Sequence, residues 1–188
     1  MRGSLVFVSQ NPFKYEELAP LFQKSLMDVT YIQKEIKEIQ SNDLREIIKQ
    51  KTLAAFELIG RPVLVEHTGL FIDALGGMPG GLTQLFWDTL QGEKICRMLS
   101  NFSEKTAVAK TVMGFCDGRQ LYDFEGSLRG IISERPHGGR EFQWGTIFIP
   151  DGSTQAYSEL HIDQLNSISH RACAFNEFSS FWKSHYCR

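Results

Sequence analysis

The sequence has almost no excess of charge of either sign and lacks the features of exported, membrane-bound or nucleic-acid-binding proteins. Its 188 residues contain 20 Lys and Arg against 22 Asp and Glu, a formal charge of −2. Because no run of Lys or Arg occurs, a surface that neutralises nucleic-acid phosphates is not expected. No apolar run approaches the roughly 20 residues of a membrane span, and the first, from Leu5 to Val8, is also too brief for a signal peptide.

Cysteine is scarce as well. The four cysteines, Cys96, Cys116, Cys173 and Cys187, form no CxxC pair and have no histidine at metal-ligand spacing. We therefore expect reduced thiols and a cytoplasmic protein. A chain of this length buries roughly 70% of the surface that its unfolded form exposes, so its core needs no disulfide or structural metal. Without repeats, low-complexity tracts or linkers, residues 1–188 are predicted to form one domain.

Hydrophobic periodicity predicts alternating strands and helices, followed by a long hairpin. The predicted strands cover residues 4–9, 29–33, 63–65 and 70–73. The predicted helices begin at about Pro12, at Asn42 or Asp43 and at His170, and the second of them ends at Gly60. A hairpin of residues 105–116 and 120–133 surrounds Asp117-Gly118. Pro20 is expected to kink or end the first helix, because it removes a hydrogen bond there. This order of elements indicates a mixed α/β fold.

A first candidate site lies where the first strand ends and the first helix begins, at Asn11 and Lys14. Unpaired N–H groups and the positive dipole end make a helix N-terminus a place for phosphate, and Lys14 would add a full charge. The simpler interpretation is that Asn11 only caps the helix and that Lys14 is solvated. Taken alone, this segment favours the simpler interpretation.

A second candidate is an acidic set, Glu35, Glu38 and Glu66, the last at the end of a buried strand. Proteins of the α/β class place ligands at the carboxyl ends of such strands, and two carboxylates can hold Mg²⁺ that also contacts substrate phosphates. Glu38 and Glu66 are the predicted metal ligands. Glu38 is otherwise an ordinary loop charge, whereas a buried Glu66 without a partner would be costly.

A third candidate combines Phe142 and Trp144 with Ser169, His170 and Arg171. The aromatic rings can enclose a purine base, and Arg and His donors can select an oxygen acceptor on its edge. Hypoxanthine and guanine present an oxygen at position 6, whereas adenine presents an amino group. The alternative is that the two aromatic residues belong to the core and that Ser169 is an N-cap.

Together these segments resemble the Ham1 family of inosine triphosphate pyrophosphatases over almost the whole chain. The resemblance rests on FVSQNPFK at residues 7–14, EIQ at 38–40, PVLVEHTGL at 62–70, DALGGMPG at 73–80, FIPDG at 148–152 and NSISHR at 166–171. It implies an elongated two-lobed α/β fold with a nucleotide cleft between the lobes, usually in a homodimer. It also implies Mg²⁺-dependent attack of water on the α-phosphate of ITP, dITP or XTP, which gives the monophosphate and pyrophosphate.

The resemblance assigns roles to individual residues. It implies that Asn11 and Lys14 hold the triphosphate, that Glu38 and Glu66 bind the metal, that Phe142 and Trp144 flank the base, and that Ser169, His170 and Arg171 read its edge. Glu66 and His67 occupy the positions of the family's catalytic acidic pair. In chemistry of this kind, most of the catalysis comes from charge placement and a positioned water.

Three positions depart from the family pattern. His67 replaces the aspartate that serves the metal and the attacking water, and an imidazole does not replace a carboxylate as a ligand for Mg²⁺. Leu165 stands where the family has a lysine that supports the phosphates. Gly145 stands where the family has an aspartate that contacts the base.

A retained recognition motif beside an altered chemical site favours a nucleotide sensor. On this hypothesis the chain binds dITP, ITP or XTP with Mg²⁺, turns it over slowly or not at all, and controls an effector protein. The Ham1-like subunit of Kongming, an antiphage system, is a precedent, since it recognises dITP and licenses a Sir2-type effector that consumes NAD. The alternatives are an active pyrophosphatase and a remnant that no longer binds nucleotide.

Overall fold

The computed structural model describes residues 5–186, without the side chains of residues 140–142, as one mixed sheet flanked by helices. The strands are β1 (Leu5–Val8), β2 (Val29–Ile32), β3 (Val63–Ile72), β4 (Pro79–Gly80), β5 (Thr106–Cys116), β6 (Leu121–Ile132) and β7 (Phe148–Pro150). The α-helices are α1 (Pro12–Lys24), α2 (Leu44–Ile59), α3 (Thr83–Met98), α4 (Ile162–Ile168) and α5 (His170–Tyr186). Short 3-10 helices cover Asp73–Leu75, Arg140–Thr146 and Tyr157–Glu159.

The seven strands are arranged in the order β2-β1-β3-β5-β6-β7, with β4 paired to β3. The strands β2, β1 and β3 are parallel, and β3, β5, β6 and β7 pair antiparallel. The parallel part requires crossover helices, which α1 and α2 provide. The predicted α/β fold and the predicted antiparallel hairpin of β5 and β6 are therefore confirmed.

Capping residues explain why the helices begin and end where they do. Asp43 caps α2 by accepting a hydrogen bond from the Arg45 backbone nitrogen at 2.8 Å, and Gly60 ends it in the left-handed conformation with φ of 68°. Both boundaries agree with the prediction. The helix does not end at Pro20, because α1 continues through it to Lys24, so the expectation of a break was wrong. Pro20 lies on the exposed side of α1, where water can satisfy the carbonyl group that loses its partner.

Two further differences concern β3 and α3. The two predicted strands of residues 63–65 and 70–73 are one ten-residue strand, since β5 pairs with it from Val63 to Ile72 across the polar residues between them. Sequence analysis did not predict α3, which contains Gly92 and a non-helical residue, Gln91 with φ of 60°. A glycine and a break inside a helix weaken the helical period on which prediction depends.

Alternation along the strands divides the central core into two layers. One face of the sheet, with Leu5, Phe7, Leu64 and Phe115, packs against α1 and α5. The other face, with Val6, Val8, Val63 and Val65, packs against α2. A third apolar cluster joins α3 to the far ends of β3, β5 and β6. Consecutive residues of β3 therefore face different helices.

Two expectations concern features that the sequence lacks. Cys96, Cys116 and Cys173 are free thiols, as expected, and Cys187 lies outside the described residues. Among residues 5–186, every helix is too short or too polar to cross a membrane. The cytoplasmic location remains a prediction.

Candidate functional site

An open cleft of about 1450 Å³ lies beside the carboxyl end of β1 and the middle of β3, at His67 and Thr68. The expectation that Glu66 ends a strand was therefore wrong, because pairing with β5 continues β3 to Ile72. The start of α1, residues 34–40, residues 81–88, the turn around Trp144 and the start of α5 border it. The residues that line the cleft include the predicted site residues Asn11, Lys14, Glu38, His67, Trp144 and Arg171, together with Glu35 and Leu165. A volume of this size exceeds that of a typical small-molecule site, so a nucleotide can enter.

The start of α1 brings Asn11 and Lys14 to the cleft. The Asn11 carboxamide oxygen accepts a hydrogen bond from the Phe13 backbone nitrogen at 3.0 Å, so Asn11 caps the helix. The Lys14 ammonium lies against a carboxylate oxygen of Glu66. Burial lowers the pKa of Lys14, and the attraction of Glu66 opposes this shift. Lys14 is therefore held in an ion pair at the cleft wall.

Glu66 is almost fully buried, with 1% of its surface exposed, and is neutralised from two helices. Besides Lys14 on α1, the Nε group of Arg171 on α5 lies 3.4 Å from its other carboxylate oxygen. The same oxygen accepts a hydrogen bond from the Thr68 hydroxyl at 2.9 Å. Burial alone would raise the pKa of Glu66, but Lys14 and Arg171 outweigh burial and lower the pKa well below its usual value.

Glu17, which was not among the predicted site residues, binds Arg171 on the side away from Glu66. Glu17 is 7% exposed and forms an ion pair with an Arg171 terminal nitrogen. One Glu17 oxygen also accepts hydrogen bonds from the hydroxyls of Tyr157 and Ser169, each at 2.9 Å. Its carboxylate is therefore well satisfied despite burial. Its spacing of three residues from Lys14 places it on the same helix face, but this spacing does not by itself indicate that Glu17 is buried.

His67 faces the opposite side of β3 from Glu66, as alternation requires. Its Nε2 lies 3.0 Å from the Gly81 carbonyl oxygen, and its Nδ1 lies 3.0 Å from a Glu38 carboxylate oxygen. Because a carbonyl and a carboxylate both accept, the two contacts are hydrogen bonds when both ring nitrogens carry hydrogen. A Cβ atom on Gly81 would lie 2.4 Å from the Ser41 carbonyl oxygen, so only glycine lets this loop approach.

Glu38 has a second partner that sequence analysis did not identify. Lys51, buried on α2, donates to the other Glu38 oxygen at 2.5 Å and to the Glu66 backbone carbonyl at 3.0 Å. Burial would raise the pKa of Glu38, but hydrogen bonds from His67 and the charge of Lys51 lower it to about 2. The Glu38 carboxylate is therefore ionised and engaged on both oxygens.

The carboxylates at the cleft do not form a preorganised Mg²⁺ site. Mg²⁺ requires oxygen ligands in octahedral geometry. Across the described part of the chain, no group of three or more His, Cys, Asp or Glu side chains lies close enough together to hold a metal ion. Glu66 is paired with Lys14 and Arg171, and Glu38 with Lys51 and His67. A metal would have to compete with these cations for each carboxylate.

Aromatic side chains form the other end of the cleft. The Trp144 ring lies 5.5 Å from the Tyr157 ring and 5.5 Å from the His170 ring, measured between centroids. Tyr157 stacks on His170 with a centroid distance of 5.6 Å. Trp144 and Tyr157 line the cleft, whereas the His170 side chain is fully buried behind them. The Phe142 side chain lies outside the described residues.

The three predicted base-reading residues occupy different positions. Arg171 lines the cleft, whereas Ser169 and His170 have no exposed surface. The Ser169 hydroxyl accepts a hydrogen bond from the Ala172 backbone nitrogen at 3.0 Å and caps α5, as the simpler interpretation stated. The roles of these residues toward a base remain predictions.

The positions of His170 and Arg171 depend on the close approach of α5 to β6. A Cβ atom on Gly126 of β6 would lie 2.1 Å from the His170 carbonyl oxygen and 2.4 Å from the Ala174 backbone nitrogen. Any larger residue would therefore push the first turn of α5 outward. Glycine at this position lets His170 and Arg171 reach the cleft region.

Curated proteins similar to this chain are named as nucleotide pyrophosphatases. The chain is 33% identical over 181 residues to a dITP/XTP pyrophosphatase of Methanopyrus kandleri, and the alignment covers 96% of each protein. It is 34% identical over 193 residues to inosine triphosphate pyrophosphatase 2 of Trypanosoma cruzi, and this alignment covers all of this chain and 96% of that protein.

Solved structures agree with these sequence matches at the level of the fold. The Ham1 protein of Staphylococcus aureus superposes with a TM-score of 0.79 at 23% identity, over 96% of this chain and 98% of that one. A HAM1 protein of Coxiella burnetii gives a TM-score of 0.80 at 23% identity with the same coverage. The model of the Ham1 family matches residues 5–181. The chain therefore belongs to the Ham1 family.

Proposed function

We propose that the chain is a nucleoside triphosphate pyrophosphatase that acts on deaminated purine nucleotides such as dITP, ITP and XTP. The products are the monophosphate and pyrophosphate. The observation that best supports this proposal is the cleft itself, which is lined by Lys14, Lys51, Arg171 and Glu38, with the buried Glu66 paired to Lys14 and Arg171. The names of the similar proteins from Methanopyrus kandleri and Trypanosoma cruzi support the substrate class.

In this proposal the two ends of the cleft divide the nucleotide between them. Lys14 and the N-terminus of α1 attract the triphosphate, because both present positive charge. The aromatic wall of Trp144 receives the base, and Arg171 donates to an oxygen on its edge. Holding both ends places the α-phosphate near the carboxylates, where positioning and charge lower the barrier to attack by water.

Mg²⁺ enters the proposal as an ion that the triphosphate brings with it. Nucleotide-bound Mg²⁺ keeps several waters and needs only one or two protein carboxylates. Glu38, which lines the cleft, is the carboxylate that we assign to it first. Glu66 is buried against Lys14 and Arg171, so it would join the metal only if Lys14 moved aside. Because Lys51 and His67 already bind Glu38, we infer that His67 reduces the rate of hydrolysis by competing for this ligand.

The test is pyrophosphate release from dITP in the presence of Mg²⁺, measured beside a calorimetric titration of dITP with the same preparation. An active pyrophosphatase releases pyrophosphate and dIMP in equal amounts, with dATP as the control nucleotide. Absence of both binding and release would reject the proposal. Binding without release would reject the enzymatic part and leave the binding part.

A second candidate function is favoured by one observation, the His67 to Glu38 contact. If this contact excludes the metal entirely, the chain is a sensor that binds dITP or ITP and controls an effector, as in a Kongming-type antiphage system with a Sir2-type NADase. Nucleotide binding would change the state of the effector only if the two states of the complex differ in their affinity for the nucleotide. Tight dITP binding with no pyrophosphate release would favour this candidate.

We also propose that the chain acts as one domain and forms a homodimer in the cytoplasm. Light scattering at several protein concentrations would give the mass of the assembly. A monomer at all concentrations would reject the dimer without affecting the assignment of the cleft.

A further inference from the structure

A chain of short hydrogen bonds connects Glu66 on β3 to His170 at the start of α5. It begins at Glu66 and passes through the hydroxyls of Thr68 on β3 and Thr111 on β5 to the Nδ1 atom of His170. The three links measure 2.9 Å, 2.6 Å and 2.6 Å. All four side chains are buried, with 0 to 9% of their surfaces exposed.

The direction of each hydrogen bond follows from the carboxylate at one end. The ionised Glu66 only accepts, so the single hydroxyl hydrogen of Thr68 points to it. Thr68 must then accept from Thr111, which leaves Thr111 as an acceptor toward His170. His170 therefore carries its hydrogen on Nδ1. We refer to Thr68 and Thr111 as the hydroxyl relay.

The other ring nitrogen of His170, Nε2, has no hydrogen-bond partner among the described residues. This atom is buried. Burial and the adjacent Arg171 charge hold the pKa of His170 well below its usual value, so the ring is neutral. A neutral ring with hydrogen on Nδ1 presents a lone pair at Nε2. Buried acceptors without partners are rare in proteins, which indicates that this one is completed by another molecule.

We propose that the hydroxyl relay positions His170, the residue that the family resemblance assigns to the base edge, so that its Nε2 atom accepts from the N1–H group of a 6-oxopurine. The inference rests on the proposed function, because it concerns the base end of the same cleft. Thr111, which is fully buried, is then a positioning residue for base selectivity that acts through His170, and Thr68 links it to Glu66.

The pattern of donor and acceptor matches one class of purine. Arg171 offers N–H donors and His170, the preceding residue, offers a lone pair. Hypoxanthine, xanthine and guanine present an oxygen at position 6 beside an N1–H group, which complements this pair. Adenine presents an amino group beside a lone pair at N1, so both contacts become unfavourable. Loss of the relay would let His170 move its hydrogen to Nε2, and the rejection of adenine would weaken.

Access to Nε2 requires movement of Trp144, which covers the His170 ring. The residue before it, Gln143, has φ of 49° and ψ of −130°, a conformation that non-glycine residues rarely adopt. Backbone strain beside the covering ring is consistent with a turn that rearranges when a base enters. Binding should therefore change the fluorescence of Trp144.

The first test is nitrogen-15 NMR of the His170 ring in the full-length protein without nucleotide. Nδ1 is expected to carry the hydrogen in the wild type and in Thr111→Ser, which keeps the hydroxyl. Thr111→Val has nearly the same shape without the hydroxyl and should shift hydrogen toward Nε2. Thr52→Val is the matched control, because Thr52 is also buried but bonds only to the Ile48 carbonyl. Hydrogen on Nε2 in the wild type would overturn the proposal.

The second test is the ratio of dITP to dATP affinity by calorimetry. Thr111→Val should lower this ratio about tenfold, the effect of one hydrogen bond, whereas Thr111→Ser and Thr52→Val should leave it unchanged. An unchanged ratio in Thr111→Val would overturn the proposal and assign Nε2 to a buried water. A wild type that binds no nucleotide would instead reject the proposed function, while the NMR result would still report on the relay.

Discussion

Glu66 and His67 are neighbours on β3, yet their surroundings differ in almost every respect. Glu66 is 1% exposed and is held by α1 and α5 through Lys14 and Arg171. His67 faces the other side of the sheet and is held by loop partners, the Gly81 carbonyl and Glu38, whose side chain is 28% exposed.

Under the proposed function, this difference separates the residues that position the nucleotide from the residues that set the rate of hydrolysis. The partners of Glu66 come from two helices that are fixed by the core, so this side is rigid and suited to binding. The partners of His67 lie in loops, where substitutions change chemistry without disturbing the core. We expect changes on the Glu66 side to have the larger effects on stability and affinity, and changes on the His67 side to have the larger effect on turnover.

The largest effect is expected for Arg171→Ala. It leaves Glu17 and Glu66 buried with one partner fewer each, which should cost about 3 to 5 kcal/mol in the free energy of unfolding. Urea denaturation measures this loss. Arg45→Ala is the control, because its ion pairs with Asp123 and Glu125 are exposed to solvent and should contribute about 1 kcal/mol or less. Equal losses in both variants would contradict the central role of the buried network.

A smaller effect is expected when the pH is lowered. The pKa of Glu38 is about 2 in the folded protein against an ordinary value of 4.5. A lowered carboxyl pKa stabilises the protein above pH 4.5, and this stabilisation is lost as the pH falls through 2. Wild type should therefore lose about 1 to 3 kcal/mol more than Glu38→Gln over this range. Parallel curves of unfolding free energy against pH would show that Glu38 contributes nothing.

The smallest of these effects is expected for Lys14→Ala. Removal of one charged donor at the start of α1 should weaken dITP binding about tenfold, as measured by calorimetry. Lys24→Ala, in the exposed last turn of the same helix, should bind like the wild type. If the two variants bind equally well, Lys14 does not contact the phosphates and serves only to neutralise Glu66.

Sequence reasoning found the parts of the site that have a local signal. Asn11, Lys14 and Arg171 lie at helix starts, and Glu66 lies in a buried strand, so their positions could be predicted. Glu17 and Lys51 were missed because a charge on an amphipathic helix is usually solvated, and only the tertiary packing buries these two. The hydroxyl relay was missed for the same reason, since Thr68 and Thr111 meet only through the register of β3 and β5.

The fold showed the same division between local and tertiary signals. The boundaries of α2 were predicted from Asp43 and Gly60, which act through local hydrogen bonds and backbone conformation. Pairing with β5 joined two predicted strands into β3, because a long partner outweighs a locally polar sequence. The continuation of α1 through Pro20 likewise depends on which side of the helix is exposed.

The measurement that tests the central claim most directly is the turnover of dITP by His67→Asp, with its affinity measured on the same preparation. The substitution replaces an N–H donor to Glu38 by an oxygen ligand. We predict at least about tenfold faster pyrophosphate release, with affinity changed less than about threefold. His161→Asp, an exposed histidine at the start of α4, should match the wild type in both. Unchanged or slower release by a folded His67→Asp that still binds dITP would contradict the account.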